Sequence, residues 1–251
     1  MSNRRKSLTL VSHNAYWFQG APSLWGEECT RAHPAVVQAL AELYAELDPD
    51  VLCLQEVPSC EIAAALCAEL GMEGAFFPGG KRTAYGGAIL WQDPAARVEN
   101  LDCTAGDECV FERICLKLDT CIGDRSLSIV DVHLCSNRYA PDRLGEPLRL
   151  AELEALFDVC AAPDVVLGDF NATPDSAVYA RMVERGFADS GCGHAEHGRP
   201  QEKRIDYIWI RIDSGLFVSE YEVIQDERFL HDAAADVYLS DHHPVRVRLR
   251  L

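Results

Sequence analysis

Val165-Val166-Leu167-Gly168-Asp169-Phe170-Asn171 is an apolar run that ends in a carboxylate and a carboxamide two residues apart. β-Branched residues suit a buried strand. Gly168 loosens the backbone where that strand stops. Asp169 and Asn171 then face one spot beyond the strand end, where open α/β sheets hold their ligands. Asp and Asn also favour turns, so the stretch by itself reads either as a strand end or as a turn. Its neighbours have to decide.

The same pattern recurs along the chain. Residues 8–12 read as a strand that delivers His13, Asn14, Ala15 and Tyr16, and residues 51–55 as a buried strand ending in Glu56. Residues 126–134 form another, with Ile129, Asp131 and His133 on one face. Asp206 lies inside the apolar strand 205–211, where an unpaired buried carboxylate calls for a metal, a cation or a histidine. Ser240-Asp241-His242-His243-Pro244 is the turn into a last strand, 245–251. Further strands are expected at 85–91, 110–118 and 216–225.

Helical signals alternate with these strands. Residues 34–47 carry the stripe Val36, Leu40, Leu43 and Leu47, and Asp48-Pro49-Asp50 ends it. Ser59 caps a helix through Leu70, closed by Gly71. A polar loop from Arg138 to Glu146 leads into a helix to about Cys160, with Leu153, Leu156, Phe157 and Cys160 on one side. Thr173-Pro174 reads as the cap and first position of a helix ending near Gly186. Residues 190–201, rich in Gly and His, read as a loop. With no repeat and no linker in the sequence, residues 1–251 are expected to form a single α/β domain.

Apolar residues make up 48% of the 251, enough for a sizeable core. No stretch approaches the roughly 20 apolar residues of a membrane span. The basic start, Met1 to Lys6, is followed by too short an apolar run for a signal peptide. A cytoplasmic, monomeric protein is expected, and its eleven cysteines, an odd number, are expected to be free thiols. Cys103, Cys109, Cys115 and Cys121 recur every six residues without any C-x-x-C, which favours core packing over a zinc site. The net charge of −17 repels a polyanion, whereas gripping a duplex needs many Lys and Arg contacts. Lys81-Arg82, Arg138 with Arg143, and Arg199 with Lys203-Arg204 are either local basic patches or ordinary loop charge.

Asn14, Glu56, His133, Asp169, Asn171, Asp241 and His242 thus all sit where an apolar strand ends or begins. Each has a plain alternative: a helix-entry acid for Glu56, a satisfied core histidine for His133, a turn cap for Asn14 or Asp241. Seven together point to a site. The stretches Ser12-His13-Asn14, Leu54-Gln55-Glu56-Val57, Asp131-Val132-His133-Leu134, Leu167-Gly168-Asp169-Phe170-Asn171, Arg204-Ile205-Asp206-Tyr207 and Ser240-Asp241-His242-His243-Pro244 resemble, in order, those of the endonuclease/exonuclease/phosphatase superfamily, the DNase I-like proteins.

The resemblance implies a four-layer α/β sandwich: two mixed sheets face to face with helices on both outer faces. It implies metal-dependent hydrolysis of a phosphoester, with Mg²⁺ as cofactor and Mn²⁺ as its substitute. Glu56 would be the main metal ligand, with Asn14 and Asp241 close by. Asp169 would orient or deprotonate the attacking water, and Asn171 would hold Asp169 and the phosphate. His133 and His242 would bind phosphate oxygens, Asp241 would also orient His242, and Asp206 would sit beside His133 or the scissile phosphate. The chemistry is coherent: Mg²⁺ needs only one or two carboxylates, the metal neutralises phosphoryl charge, and an Asp near a metal and histidines stays ionised as a base must.

Histidine at 133 departs from the apurinic-endonuclease branch, which typically has Tyr there, and the further motifs of phosphoinositide phosphatases are absent. The chain leaves little room for DNA-gripping loops. A small or single-stranded phosphoester is therefore the expected substrate. The alternatives are a nuclease working through a basic patch and an inactive binding module, against which Glu56, Asp169 and His242 are all retained. A serine hydrolase lacks its G-x-S-x-G here, and no phosphate-cradling G-x-x-x-x-G-K-[ST] occurs. Specificity is expected in the loops 17–28, 77–85, 138–146 and 190–203. There Trp17, Phe18 and Trp25 either stack on a substrate or belong to the core.

Overall fold

Alternation along the strands sets the layers. In β1 (Ser7–Asn14), Leu8 and Leu10 face one side while Val11 faces the other, and in β2 (Val51–Val57) Val51 and Cys53 oppose Leu52 and Leu54. The computed structural model describes residues 6–20, 31–102, 109–139, 144–192, 204–229 and 238–251. Within them lie two six-stranded mixed sheets.

The first sheet has the order β11-β12-β1-β2-β4-β3, adding β3 (Glu73–Phe77), β4 (Gly86–Trp91), β11 (Phe217–Val223) and β12 (Val245–Arg250). The second has the order β5-β6-β7-β8-β10-β9, from β5 (Arg97–Asn100), β6 (Ile114–Ile122), β7 (Arg125–His133), β8 (Val165–Asp169), β9 (Phe187–Asp189) and β10 (Asp206–Arg211). Each sheet has one parallel pair, β1·β2 and β7·β8, and antiparallel neighbours elsewhere. The two orders superpose strand for strand, so a repeat exists in the topology although the sequence shows none. Under that correspondence the end of β1 matches the end of β7, and the end of β2 matches the end of β8.

One apolar layer lies between the sheets, with Leu10, Cys53, Ile89 and Val247 against Leu116, Ile129, Leu167 and Ile208. α1 (Pro34–Leu47) and α2 (Cys60–Leu70) cover the outer face of the first sheet through Leu40, Tyr44 and Leu66. α3 (Glu146–Val159) and α4 (Ala177–Glu184) cover the second through Leu153, Phe157 and Met182. The architecture is the expected four-layer sandwich. Asp48 and Gly71, both left-handed, end α1 and α2 where the sequence placed their stops.

Some boundaries differ from the sequence reading. The strand expected at 110–118 is β6, which starts only at Ile114. The N–H groups of Val110 and Phe111 are taken by the Asp102 carboxylate, which holds that segment as a loop. α4 is capped by Ser176, whose Oγ accepts from the Tyr179 N–H at 3.2 Å, and not by Thr173. Thr173 instead heads the preceding turn, accepting from Ser176 N. β3, β5 and β9 were not anticipated, being short or half-exposed edge strands without clear alternation.

Trp17 and Phe18 are buried and belong to the core. The core reading holds for Cys115 but not for Cys121, which lies exposed on the same strand, and the nine described cysteines are unbridged. Lys81 and Arg82 both pair with Glu112, and Arg204 with Asp189, so these cations are engaged within the protein. Trp25, Cys103, Arg143, Arg199 and Lys203 lie outside the described residues, as does most of the loop 190–203. No described helix is long and apolar enough to cross a membrane.

Candidate active site

The inward-facing polar residues gather at one end of the sandwich. Register alone places three of them: His133 lies beside Asp169 across the parallel pair, and Asp169 lies opposite Asp206 across the antiparallel one. Asn14 reaches them from the first sheet. Glu56 needs a further device, because strict alternation after Leu52 and Leu54 would turn it toward the helices. A bulge between Gln55 and Val57, with Glu56 at φ 53, redirects it, and its Oε1 stands 4.0 Å from His133 Nε2. Gly168 serves close packing here and not the looseness expected of it. A Cβ on it would lie 2.0 Å from the Val132 carbonyl oxygen, and its φ is +124.

Asp169 is the centre of the cluster. Its Oδ2 accepts from Asn14 Nδ2 at 3.1 Å and stands 3.1 Å from His133 Nε2 and 3.8 Å from His242 Nε2. Its Oδ1 accepts the Asn171 N–H at 2.8 Å. Burial works against the charged form, but His133, then His242 and Arg113, override it and hold the carboxyl well below the usual range.

His242 Nδ1 lies 2.7 Å from Asp206 Oδ2. Burial would strip its proton, yet Asp206 and then Asp169 push its pKa well above that of a free histidine. The ring is an imidazolium clamped between two carboxylates. Asp206 therefore carries His242, a contact that the sequence reading expected of Asp241. Asp241 contributes as a nearby negative charge on His242 and Glu56.

His133 is pushed the other way, down to about 4, by burial first and the Arg113 cation second, against the pull of Asp169. Its Nε2 faces Asp169 and also lies 2.8 Å from Arg113 Nη1, which donates to the Leu134 carbonyl at 2.7 Å. Its Nδ1 is buried without a partner. Nε2 thus stands between a guanidinium that can only donate and a carboxylate that can only accept, and the neutral ring satisfies one of them at a time. In this structure the ring is 1% exposed and its contact is to Asp169.

Asn171, at φ 49, holds Asp169 through its backbone N–H, while its carboxamide donates to the Leu134 carbonyl at 3.1 Å. Three participants escaped the sequence reading. Arg113 is 3% exposed and packs over Tyr85. Gln55 donates to Asp131 at 2.6 Å between the sheets. Ser240 Oγ donates to the Asn14 carbonyl at 2.7 Å and accepts the His242 N–H, tying β1 to the Asp241-His242 turn. Only alternation marks Gln55 and Asp131 in sequence; nothing local marks Arg113 or Ser240.

The donor set has two halves. Asp169, Asp206 and His242 bring one ligand atom each within 4.8 Å of the others. Without a metal that group already contains a cation, the His242 imidazolium, so an ion bound there would have to displace its proton. On the other side, burial and then Asp241 push Glu56 up to about 8, against the pull of Arg113 and His242, so two acids repel each other beside the cluster. With the Asn14 Oδ1 carbonyl oxygen, which also accepts from Tyr16 N at 3.1 Å, this half offers hard oxygens suited to a divalent ion.

The sequence profile of the Endonuclease/Exonuclease/phosphatase family matches residues 11–242. The chain belongs to that family. Membership places it among the phosphoester hydrolases, and the polar cluster from Asn14 to His242 falls inside the matched span. No curated protein sequence matches the chain. Solved structures of the same fold do. The human Nocturnin catalytic domain with bound sulfate is 19% identical with a TM-score of 0.71, covering 99% of this chain and 95% of that one. A mannosyl-6-phosphatase of Bacteroides thetaiotaomicron VPI-5482 is 17% identical with a TM-score of 0.69, covering 97% and 100%. ANGEL2, described as a 2′,3′-cyclic phosphatase, is 17% identical with a TM-score of 0.71, covering 100% and 96%.

Proposed function

We propose that the chain is a Mg²⁺-dependent hydrolase of a small or single-stranded phosphoester, with Mn²⁺ as a working substitute. The observation that carries this reading is the divided site: a buried carboxylate, Asp169, held ionised by two histidines and Asn14, beside a second acidic pair, Glu56 and Asp241, that calls for a cation. Glu56, Asp241 and Asn14 would hold the metal, which when bound neutralises phosphoryl charge and steadies the leaving oxygen.

The protein's own groups then divide the work. Asp169 accepts a proton from the attacking water and orients it in line with the phosphorus. Asn14, Asn171 and His133 fix the direction of its two oxygens, which keeps the base in one geometry. The His242 imidazolium, clamped by Asp206, presents a positive N–H toward the anionic phosphate and stabilises charge gathering there. The acidic surface favours a substrate of few charges over long duplex DNA. We take the protein to work as a monomer in a reducing compartment such as the cytoplasm, which its unbridged cysteines suit.

A substrate panel with Mg²⁺ or Mn²⁺ tests this: bis-p-nitrophenyl phosphate, single- and double-stranded DNA, RNA, sphingomyelin, inositol phosphates, a 2′,3′-cyclic nucleotide and mannose 6-phosphate. Hydrolysis of a small or single-stranded member that stops in EDTA and returns with Mg²⁺ supports the reading. Full activity in EDTA, or no hydrolysis of any member, overturns it.

A further inference from the structure

Immediately after Asn14 the chain makes an unusual turn. Tyr16, Trp17 and Phe18 are consecutive, bulky and left-handed, at φ 48, 51 and 57. L-residues avoid that region, so the surroundings must enforce it. They do so through several bonds. Asn14 Oδ1 accepts the Tyr16 N–H at 3.1 Å, Phe18 N donates to the Ala15 carbonyl at 2.8 Å, and Trp17 Nε1 donates to the Ala84 carbonyl at 2.7 Å. The Tyr16 ring also packs against Trp17 and Tyr238, with centroids 5.9 and 6.3 Å away. The phenol is thereby aimed, not merely tolerated.

Its hydroxyl differs from those of other buried tyrosines. Tyr44 bonds His13 at 2.7 Å, and Tyr207 donates to backbone carbonyls at 2.9 and 3.0 Å. Tyr16 is 2% exposed, and its oxygen makes no hydrogen bond of good geometry. The charges it faces are Asp241, Glu56 and Arg138, with the Gln19 carboxamide beside it. A buried hydroxyl is costly to leave unpaired, so this one is built for something that arrives.

We propose that the Tyr16 hydroxyl contacts the substrate, donating a hydrogen bond to a non-bridging phosphate oxygen held beside Glu56 and Asp241. This rests on the phosphoester reading above. Glu56 and Asp241 are acceptors and cannot donate to an anionic oxygen brought beside them, so a donor is needed there. A neutral O–H is compatible with both carboxylates and with the phosphate. A phenol, with an ordinary pKa of about 10, keeps its proton as a donor at neutral pH.

The test is Tyr16→Phe, read in four ways: thermal unfolding, calorimetric binding of inorganic phosphate in Mg²⁺, calorimetric binding of Mg²⁺ alone, and kcat/KM on the best panel substrate. The proposal expects an unchanged or raised Tm, because an unpaired hydroxyl is removed, and unchanged Mg²⁺ affinity. It expects about tenfold or greater loss in both phosphate affinity and kcat/KM. Wild-type phosphate affinity and kcat/KM in the variant overturn it while leaving the hydrolase reading intact. A lowered Tm, or weakened Mg²⁺ binding with unchanged phosphate binding, also overturns it, assigning the hydroxyl to structure or to the metal. A wild-type protein that neither cleaves any phosphoester nor binds phosphate removes the underlying reading itself.

Discussion

Asn14 Nδ2 and Asp169 Oδ2 meet at 3.1 Å although 155 residues separate them. Asn14 ends a strand of the first sheet and Asp169 a strand of the second. Their bond closes the sandwich at the end where the polar residues collect. The same Asn14 accepts the Tyr16 N–H with its carbonyl oxygen, so one side chain holds both Asp169 and the turn that follows β1.

Asn14→Ala should therefore damage both halves. Asp169 loses a donor and the Tyr16 N–H loses its acceptor, a stability loss of about 1–3 kcal/mol. A kcat loss of about 10–100-fold is expected for the less well-held base. Asn14→Asp should be worse, because it sets a carboxylate against Asp169. Steady-state kinetics and urea unfolding of both variants check this; a fully active, fully stable Asn14→Ala would refute the contact's role.

Glu56 predicts an inverted pH response for metal-free protein. Its folded pKa is raised from 4.5 to about 8. Its contribution to stability is present below pH 4.5 and is lost as pH rises through about 8, because the native state binds the proton more tightly. The effect is on the order of a few kcal/mol at most. In EDTA, the wild type should lose stability relative to Glu56→Gln between pH 5 and pH 8. Mg²⁺ should restore it, and its affinity should rise with pH as it displaces that proton. Parallel stability–pH curves for the two proteins would contradict the assignment.

Asp206→Asn should shift the alkaline limb of the pH–rate profile. The carboxylate is the leading partner that keeps His242 protonated. Without it the imidazolium titrates at lower pH, so activity should fall away at lower pH than in the wild type, with the acid limb little changed. Superimposable alkaline limbs would show that His242 need not be charged.

Gly168→Ala should be among the most disruptive single-methyl changes. The added Cβ would lie 2.0 Å from a backbone oxygen of β7, at a φ unfavourable to any L-residue. β7 and β8 must part, which separates His133 from Asp169. A loss of several kcal/mol, or insoluble expression, is expected; a melting curve within a degree of wild type would show that the strands are not so tightly apposed.

The charge of −17 predicts how salt acts. Plasmid DNA should be a poor substrate at low ionic strength, where repulsion is least screened. A small diester should be cut at a rate nearly independent of salt. Plasmid cleavage that is faster than the diester's and falls steeply with salt would mean that a basic patch grips many phosphates, favouring a nuclease.

Much of this was written locally. Glu56, Asp169 and His242 could be picked out because each follows or precedes an apolar strand, and a strand end is a feature of neighbouring residues. Asp206 was readable as an inward acid from period-two alternation. α1 and α2 were bounded by their own stop signals, Asp48 and Gly71. The roles of these residues were harder. His242 pairs with Asp206, 36 residues away, and His133 lies between Asp169 and Arg113.

By itself, then, the sequence determined the elements, their buried faces and the polar residues at their ends, because burial and alternation act over a few residues. Tertiary structure alone decided which ends meet. Sheet register set His133 beside Asp169 and Asp206 opposite it. The bulge at Glu56 and the left-handed turn at Tyr16 aimed two side chains that alternation would have misplaced. Arg113 gained its place against His133 only through the pairing of β6 with β7. Such partners lie tens to hundreds of residues apart, and their hydrogen bonds and pKa values depend on distances of a few ångströms that only the packed sheets establish.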